Sequence, residues 1–398
     1  MGDFIKLSIN NCTFSSDDEV LKLISSISSE NGINIKKIGA KGDGINDDTN
    51  IIQNEIEKMK NIGGTLYFPE GTYICNIKLY SNINIIGQNP SKTILKSNIG
   101  STEPVISSYD YGNYNCNRNI FSNFSVDGNK DNAECIGIKM FGRSYNWDNI
   151  DILNCKDTGI ITGSSDLPAA PSIDIWSESK FFNIKSYYNK TGWEFNGPHD
   201  SIFISCHMMH NDEWGLIAKA AHQSYFLNCY ANSIGGFKIS GCRPTASNIQ
   251  LNSDYYFLNN KLFNQDLIDY GIYIENGGGI NLNGGHIDGF GICIYAENCS
   301  NSVVISHTIL SRSVCGIKVS EVNQLRFDVS YIHTTYGVWV VSENHNNYYK
   351  LSGSFDETNE FLFYDKGVQL RSGSIIDYTN LLYNTSYIKR NGKVINFE

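Results

Sequence analysis

The sequence predicts an all-β fold, a single-stranded parallel β-helix (solenoid) with an N-terminal capping helix, and three observations carry that prediction. A glycine followed by apolar, any, apolar recurs from Gly137 to Gly367, as in Gly137-Ile138-Lys139-Met140, Gly192-Trp193-Glu194-Phe195 and Gly271-Ile272-Tyr273-Ile274, at a base interval of about 20 to 25 residues. A second short apolar strand precedes most of these glycines, among them Ile202-Phe203-Ile204, Tyr225-Phe226-Leu227 and Leu325-Arg326-Phe327. An amphipathic helix ahead of the first coil has one apolar side and must cover something. The 398 residues would make two domains in an ordinary fold, but a solenoid grows in one direction and escapes that count.

In chain order, residues 1–34 hold a candidate short helix over about residues 17–29, behind the acidic cap Ser16-Asp17-Asp18, and read as an attachment or leader segment. Met1 to Asn10 lacks the basic and apolar regions of a signal peptide, so either a leader has been removed or the chain is made in the cytoplasm. From Ile35 the pieces come in order: turn glycines Gly42 and Gly44, paired acids Asp47 and Asp48, the helix, a Gly63-Gly64 stop, and a strand ended by Pro69 and Gly71. Asp48 or Thr49 can cap the helix, because a short oxygen-bearing side chain accepts a bond from a first-turn amide. Ile52, Ile56 and Met59 fall on one helical face.

The wording Gly39-Ala-Lys-Gly-Asp-Gly-Ile-Asn-Asp-Asp-Thr49, followed by Gly63-Gly-Thr-Leu-Tyr-Phe-Pro-Glu-Gly-Thr-Tyr73, resembles the opening of the pectate-lyase-like superfamily. That group includes phage tailspike depolymerases, polygalacturonases and alginate epimerases. The resemblance implies a right-handed parallel β-helix, spanning 35–373, whose first coil the helix caps. It further implies a bacterial polysaccharide as partner, a homotrimer, and attachment to other virion tail proteins.

Within the repeat, the first and third residues after each glycine enter the core and the second points out, because alternate strand side chains face opposite ways. The outward series reads Lys139, Ile161, Glu194, Ile217, Lys238, Tyr273, Cys293, Lys318, Trp339 and Gln369. Asn154, Asn228 and Asn283 stand at bends, where asparagine suits a left-handed turn. Three intervals are long, so three coils carry excursions, at 160–191, 237–270 and 338–366. Residues 374–398 lose the period and read as a C-terminal cap or subunit-contact segment.

Composition excludes several functions. A formal charge of -10 argues against nucleic acid, whose phosphates need clustered Lys and Arg. No run of 18 apolar residues exists, so membrane insertion is not expected. Eleven Cys with no CxxC pair argue against a disulfide framework or a zinc site and for small buried apolar groups, and no metal or cofactor is expected.

Breaking a glycosidic bond normally needs one carboxyl kept protonated and one ionised. Glu194 stands between Ile161 and Ile217 in the outward series, an apolar setting that suits the acid. Asp212 and Glu213 offer the base one coil later, with Asp174 and Glu178 of the first excursion as a reserve pair beside Trp176. Trp176, His199, Asp200, His210 and Lys238 are the candidate substrate-binding residues. Two readings compete with these roles: Asp157, Lys190 and Glu213 can form a surface ion ladder, and Trp193 faces the core. Asp127 and Asp288 resemble turn residues.

Pro198-His199-Asp200 resembles the Asp-Pro-His-Glu motif of alginate epimerases and lyases, but Gly197 replaces its Asp and Glu194 stands where that family has tyrosine. Lys219 and Gly235 stand about where it has an Asp and a second His. The polygalacturonase series is absent, and Arg243 and Arg312 lack the dense acids of a calcium-dependent lyase. The expectation is a phage tailspike-like glycoside hydrolase located in the virion. A non-catalytic receptor-binding spike, a lyase or epimerase, and a secreted enzyme are the alternatives.

Overall fold

The computed structural model describes residues 32–109, 116–163, 178–219, 221–259 and 269–340, with short strands outside those ranges. The candidate helix at 17–29, Asp174 and Trp176 lie outside the described residues.

Each coil contributes three strands to a 29-stranded sheet that wraps around the core, and the pairing between coils is parallel and in register. We name the three faces by their side chains. The aromatic sheet points Phe121, Trp147, Phe181, Phe203 and Phe226 inward at one register position. The histidine sheet follows, with His207 and His286 turned outward, and the glycine sheet closes the coil. In-register strands place like positions about 4.8 Å apart, which is ring-contact distance. Phe121 and Trp147 lie 4.9 Å apart, Phe181 and Phe203 4.8 Å, and Phe203 and Phe226 4.4 Å. The repeat spacing thus sets the ring contacts of the core.

Residues in the left-handed region turn the chain at the corners. Between the aromatic and histidine sheets they include Asn123, Asn149, Asn183, Asn228 and Asn248, with φ between 49° and 60°, and Ser205 and His307 at the same corner on other coils. Asparagine tolerates this conformation, and its amide can bond to the coil below. Asn149 Nδ2 donates to Asn123 Oδ1 at 2.8 Å, Asn183 to Asn149 at 3.0 Å, and Asn248 to Asn228 at 2.8 Å. Asn154 also turns with φ 54°. Asn283 does not; its neighbour Gly284 takes the positive φ of 74°.

The recurrent glycine has a steric cause. A Cβ on Gly137 would meet the Gly159 carbonyl oxygen at 2.6 Å, one on Gly192 the Gly215 oxygen at 2.5 Å, and one on Gly236 the Gly271 oxygen at 2.1 Å. Successive coils therefore approach too closely at this column for a side chain. Cys293 takes the glycine's place on one coil, because the strands pair Ile272 with Ile294 and Tyr273 with Tyr295. This corrects the outward series: Cys293 is buried, and Tyr295 is the outward residue of its coil.

The first coil is closed by α1, Thr49–Met59, which buries Ile52, Ile56 and Met59. Gln53 seals the open strand edge, with Nε2 donating to the Lys78 carbonyl at 3.1 Å and Oε1 accepting the Lys78 amide at 2.9 Å. Asp48 is the N-cap residue, but its side chain does not cap. Its buried carboxylate instead accepts the Lys41 and Gly42 amides at 2.7 and 2.9 Å, fixing the glycine loop, while Asp47 Oδ1 accepts the Thr49 amide at 2.9 Å.

Among the described residues, ten cysteines from Cys75 to Cys315 are buried as thiols rather than joined in disulfides. Burial pushes the Cys116 and Cys293 thiols up to about 12, which leaves them as small apolar groups. At the other end, parallel pairing continues past Gly373, with Ile375–Ile376 on Lys350–Leu351 and Ile388–Arg390 on Tyr364–Asp365. Lys393–Ile395 then turns back antiparallel on Ile388–Arg390.

Candidate functional site

Glu194 points outward from the glycine-sheet strand Thr191–Asn196, and the register places Ile161 and Ile217 on either side of it. That neighbourhood is not purely apolar. Lys219, two residues beyond Ile217 and so at the next outward position, donates from Nζ to Glu194 Oε1 at 2.7 Å, and Asn196 Nδ2 donates to the same oxygen at 3.0 Å. An ion-paired carboxylate suits a base, a nucleophile or a charge partner better than a proton donor.

Five residues on, where the chain turns into the aromatic sheet, His199 Nδ1 and Asp200 Oδ2 lie 2.6 Å apart. The Asp200 amide donates to the His222 carbonyl oxygen of the following coil at 3.0 Å. Burial, and next the His199 imidazole, hold His222 below its ordinary range. Glu178 belongs to the same corner one coil earlier, since the Ser179 amide donates to Ser201 Oγ and Lys180 pairs with Ile202. Counting back two residues in that register sets Glu178 beside Asp200, with backbones about 4.8 Å apart. That spacing allows the carboxyl separations of about 5 to 9.5 Å that glycosidases use.

One corner thus gathers Glu178, Glu194, His199 and Asp200 with Lys219 and His222. Asn196 adds a buried Oδ1 with no protein partner. The remaining candidates lie elsewhere. Asp212, Glu213 and His210 sit at the opposite edge of the glycine sheet, where it meets the histidine sheet. Glu213 Oε1 is 4.0 Å from Lys190 Nζ, which makes one rung of the expected ion ladder, while Lys190 meets Asp157 through a backbone bond from its amide to the Asp157 carbonyl. His210 stacks on Tyr188 and meets Asp254 at 3.0 Å. Lys238 lies two coils beyond Glu194 in the same outward column and pairs with Glu275 at 3.1 Å. Trp193 is fully buried.

Further along the glycine sheet, Tyr273 and Tyr295 stack at 5.5 Å and both donate their hydroxyls to Glu297. Lys238 lies 5.2 Å above the Tyr273 ring and Lys318 5.0 Å above that of Tyr295. Asp288 is not a turn residue. It is a buried carboxylate that accepts from both Arg312 and Ser311. Among the described residues no group of three or more His, Cys, Asp and Glu is placed to hold a metal ion, and no helix is long and apolar enough to cross a membrane.

Sequence reasoning missed Lys219 and His222 as members of the corner. Lys219 could have been found by extending the outward series one step, to the fourth residue after each glycine. His222 is brought in by a coil contact that has no local sequence signal.

Comparison with known proteins follows the same lines. Residues 32–160 match the family model described as rhamnogalacturonase A/epimerase, pectate lyase-like. The pre-neck appendage protein of Bacillus phage phi29 is 28% identical over 207 residues, covering 50% of this chain and 23% of that protein. Alginate lyase 7 of Azotobacter vinelandii is 33% identical over 120 residues, covering 25% of this chain and 13% of that protein. These matches therefore span less than a quarter of either relative's length. Among solved structures, the tailspike gp49 of Acinetobacter baumannii phage Fri1, a capsular polysaccharide depolymerase, superposes with a TM-score of 0.53. The superposition has 12% identity and covers 90% of this chain and 64% of that one, a likeness of fold. The chain is a right-handed parallel β-helix protein whose residues 32–160 match a pectate-lyase-like family model.

Proposed function

We propose that the chain binds a bacterial surface polysaccharide along the glycine sheet and hydrolyses it at the corner containing Glu194, as part of a phage tail appendage. The observation that carries this reading is the Glu194–Lys219 ion pair, set one turn from the His199–Asp200 pair on rigid strands. Paired with Lys219, Glu194 takes the part of base or nucleophile rather than the acid. The acid is then Glu178 or Asp200, the carboxyl groups of the same corner, with Asp174 of the adjoining excursion in reserve. The named activities of the alginate lyase and the phage Fri1 tailspike support a polysaccharide, and the phage phi29 appendage supports the virion as location. A homotrimer contacting other tail proteins belongs to the same proposal and is tested by light scattering, which should give three times the chain mass.

One observation favours a second reading. His199 backed by Asp200 is an imidazole–carboxylate pair suited to abstracting a proton, and Lys219 and His222 could face a uronate carboxylate. Elimination or epimerisation would use those groups. Incubating the protein with capsular and cell-wall polysaccharides, weighing the products and reading their sugar configuration by proton NMR, which alone detects epimerisation, separates the cases. Hydrolysis adds one water per cut, elimination leaves an unsaturated end that absorbs in the ultraviolet, and a receptor-binding spike leaves the chain length unchanged. Unsaturated products, or intact chains across the whole panel, would overturn the hydrolytic proposal.

A further inference from the structure

A groove of about 750 Å³ opens on the histidine sheet, away from the glycine sheet and its candidate corner. Its floor is one outward column on consecutive coils: His207, Tyr230, Gln250, His286 and Ile309 pair in that order. We propose that this groove is a second saccharide site, one that holds an uncharged oligosaccharide without cleaving it.

The lining residues include no Asp, Glu, Lys or Arg. Charged groups around it include Lys185, one coil before His207, the Asp288–Arg312 pair beside His286, and Asp254, which is bonded to His210 next to Met209. Burial holds both His207 and His286 below the ordinary histidine range, so the imidazoles are neutral near pH 7 and act as hydrogen-bonding groups. His286 has a defined tautomer. Ser311 Oγ donates to Asp288 Oδ1 at 2.7 Å, so His286 Nε2, 2.6 Å from that hydroxyl, must be the donor, and Nδ1 is left as an acceptor.

Tyr230 adds a half-buried ring set edge-on to His207 at 5.8 Å and oriented by a bond from Asn252 Nδ2 to its hydroxyl at 3.1 Å. Gln250 exposes an amide that both donates and accepts. Beside Met209 in register, Asn232 Oδ1 is buried without a protein partner. An aromatic surface flanked by uncharged donors and acceptors is the chemistry that recognises a sugar ring. The coils repeat every ~4.8 Å, close to one sugar residue, so successive rings can meet successive polar groups. A nucleic acid would need cations that the groove lacks.

The test is calorimetric titration of the whole chain with chitotetraose and maltotetraose, using tetragalacturonate as the charged control. At least one neutral tetrasaccharide should bind, and more tightly than the control. Tyr230→Ala and Gln250→Ala should each weaken that binding at least tenfold. Gln250 is exposed, so its variant keeps the fold even if the tyrosine variant does not. Glu194→Gln should leave this binding unchanged, which separates the outcome from the fate of the glycine-sheet proposal. No binding of either neutral sugar, tighter binding of tetragalacturonate, or full affinity in the Gln250→Ala chain would overturn the assignment.

Discussion

Replacing Gly236 by alanine tests the packing rule that gives this fold its period. The added Cβ would lie 2.1 Å from the Gly271 carbonyl oxygen, 3.1 Å from its carbon and 3.3 Å from Leu251 Cδ1. The first two are backbone atoms of the next coil, which cannot rotate away as a side chain end can. Relief requires the coils to separate locally, lengthening ladder bonds that hold strands about 4.8 Å apart. Overpacking of this kind costs roughly 1–3 kcal/mol, and a clash with backbone belongs at the upper end, about 3 kcal/mol. Gly215→Ala is the internal comparison. There the nearest atoms are Ala231 Cβ at 2.9 Å and the Gly236 oxygen at 3.2 Å, so the expected loss is about 1 kcal/mol. Urea unfolding followed by far-ultraviolet circular dichroism gives the difference directly from the two midpoints. Equal stability of Gly236→Ala and the parent chain, or a larger loss in Gly215→Ala, would refute the steric account of the glycine column.

Three further outcomes follow from the same structure. Asp48→Ala leaves the Lys41 and Gly42 amides without the buried carboxylate that accepts them, and should cost about 3 kcal/mol, because bonds to a charged acceptor contribute roughly 1.5–3 each; faster hydrogen exchange at those two amides checks it. Burial raises Asp269 from the ordinary 3.8 to about 7, so its contribution to stability is fully present below about pH 4 and is lost as the pH rises through 7. Asp269→Asn keeps an oxygen for the Gly291 amide and should flatten that fall between pH 4 and 8, as read from thermal midpoints. The buried thiols should resist a thiol-reactive dye in the native chain and react after denaturation, and rapid native labelling at Cys116 or Cys293 would contradict their placement.

Much of the scaffold was legible because it rests on local rules. The α1 face of Ile52, Ile56 and Met59, the Gly63 stop and the left-handed Asn154 and Asn228 each depend on a few neighbouring residues. Register was less legible, because contact between coils decides it. Gly291 looked like the next repeat glycine, but stacking matched Tyr273 to Tyr295 and put Cys293 in the glycine column. The repeated Ile-Tyr words at 272–273 and 294–295 carried the right answer. At the site, alternation correctly turned Glu194 outward. Its role changed because Lys219 crosses from the adjacent coil, at the fourth residue after its glycine and so one step beyond the outward series. His210, Asp212 and Glu213 are near Glu194 in sequence order, but a coil turns its side chains to different edges of the sheet.

Two carboxyl-to-amide variants test the central claim most directly. Chain-length loss of a cleavable polysaccharide is followed by light scattering for the parent chain, Glu194→Gln and Glu213→Gln. With chemistry at the corner of Glu194, His199 and Asp200, Glu194→Gln should lower the rate at least a hundredfold, while Glu213→Gln should stay within about twofold, since removing a general acid or base typically costs 10²–10⁴ in rate. Full activity in Glu194→Gln, with loss in Glu213→Gln, would contradict the account and move the chemistry to the opposite edge of the glycine sheet.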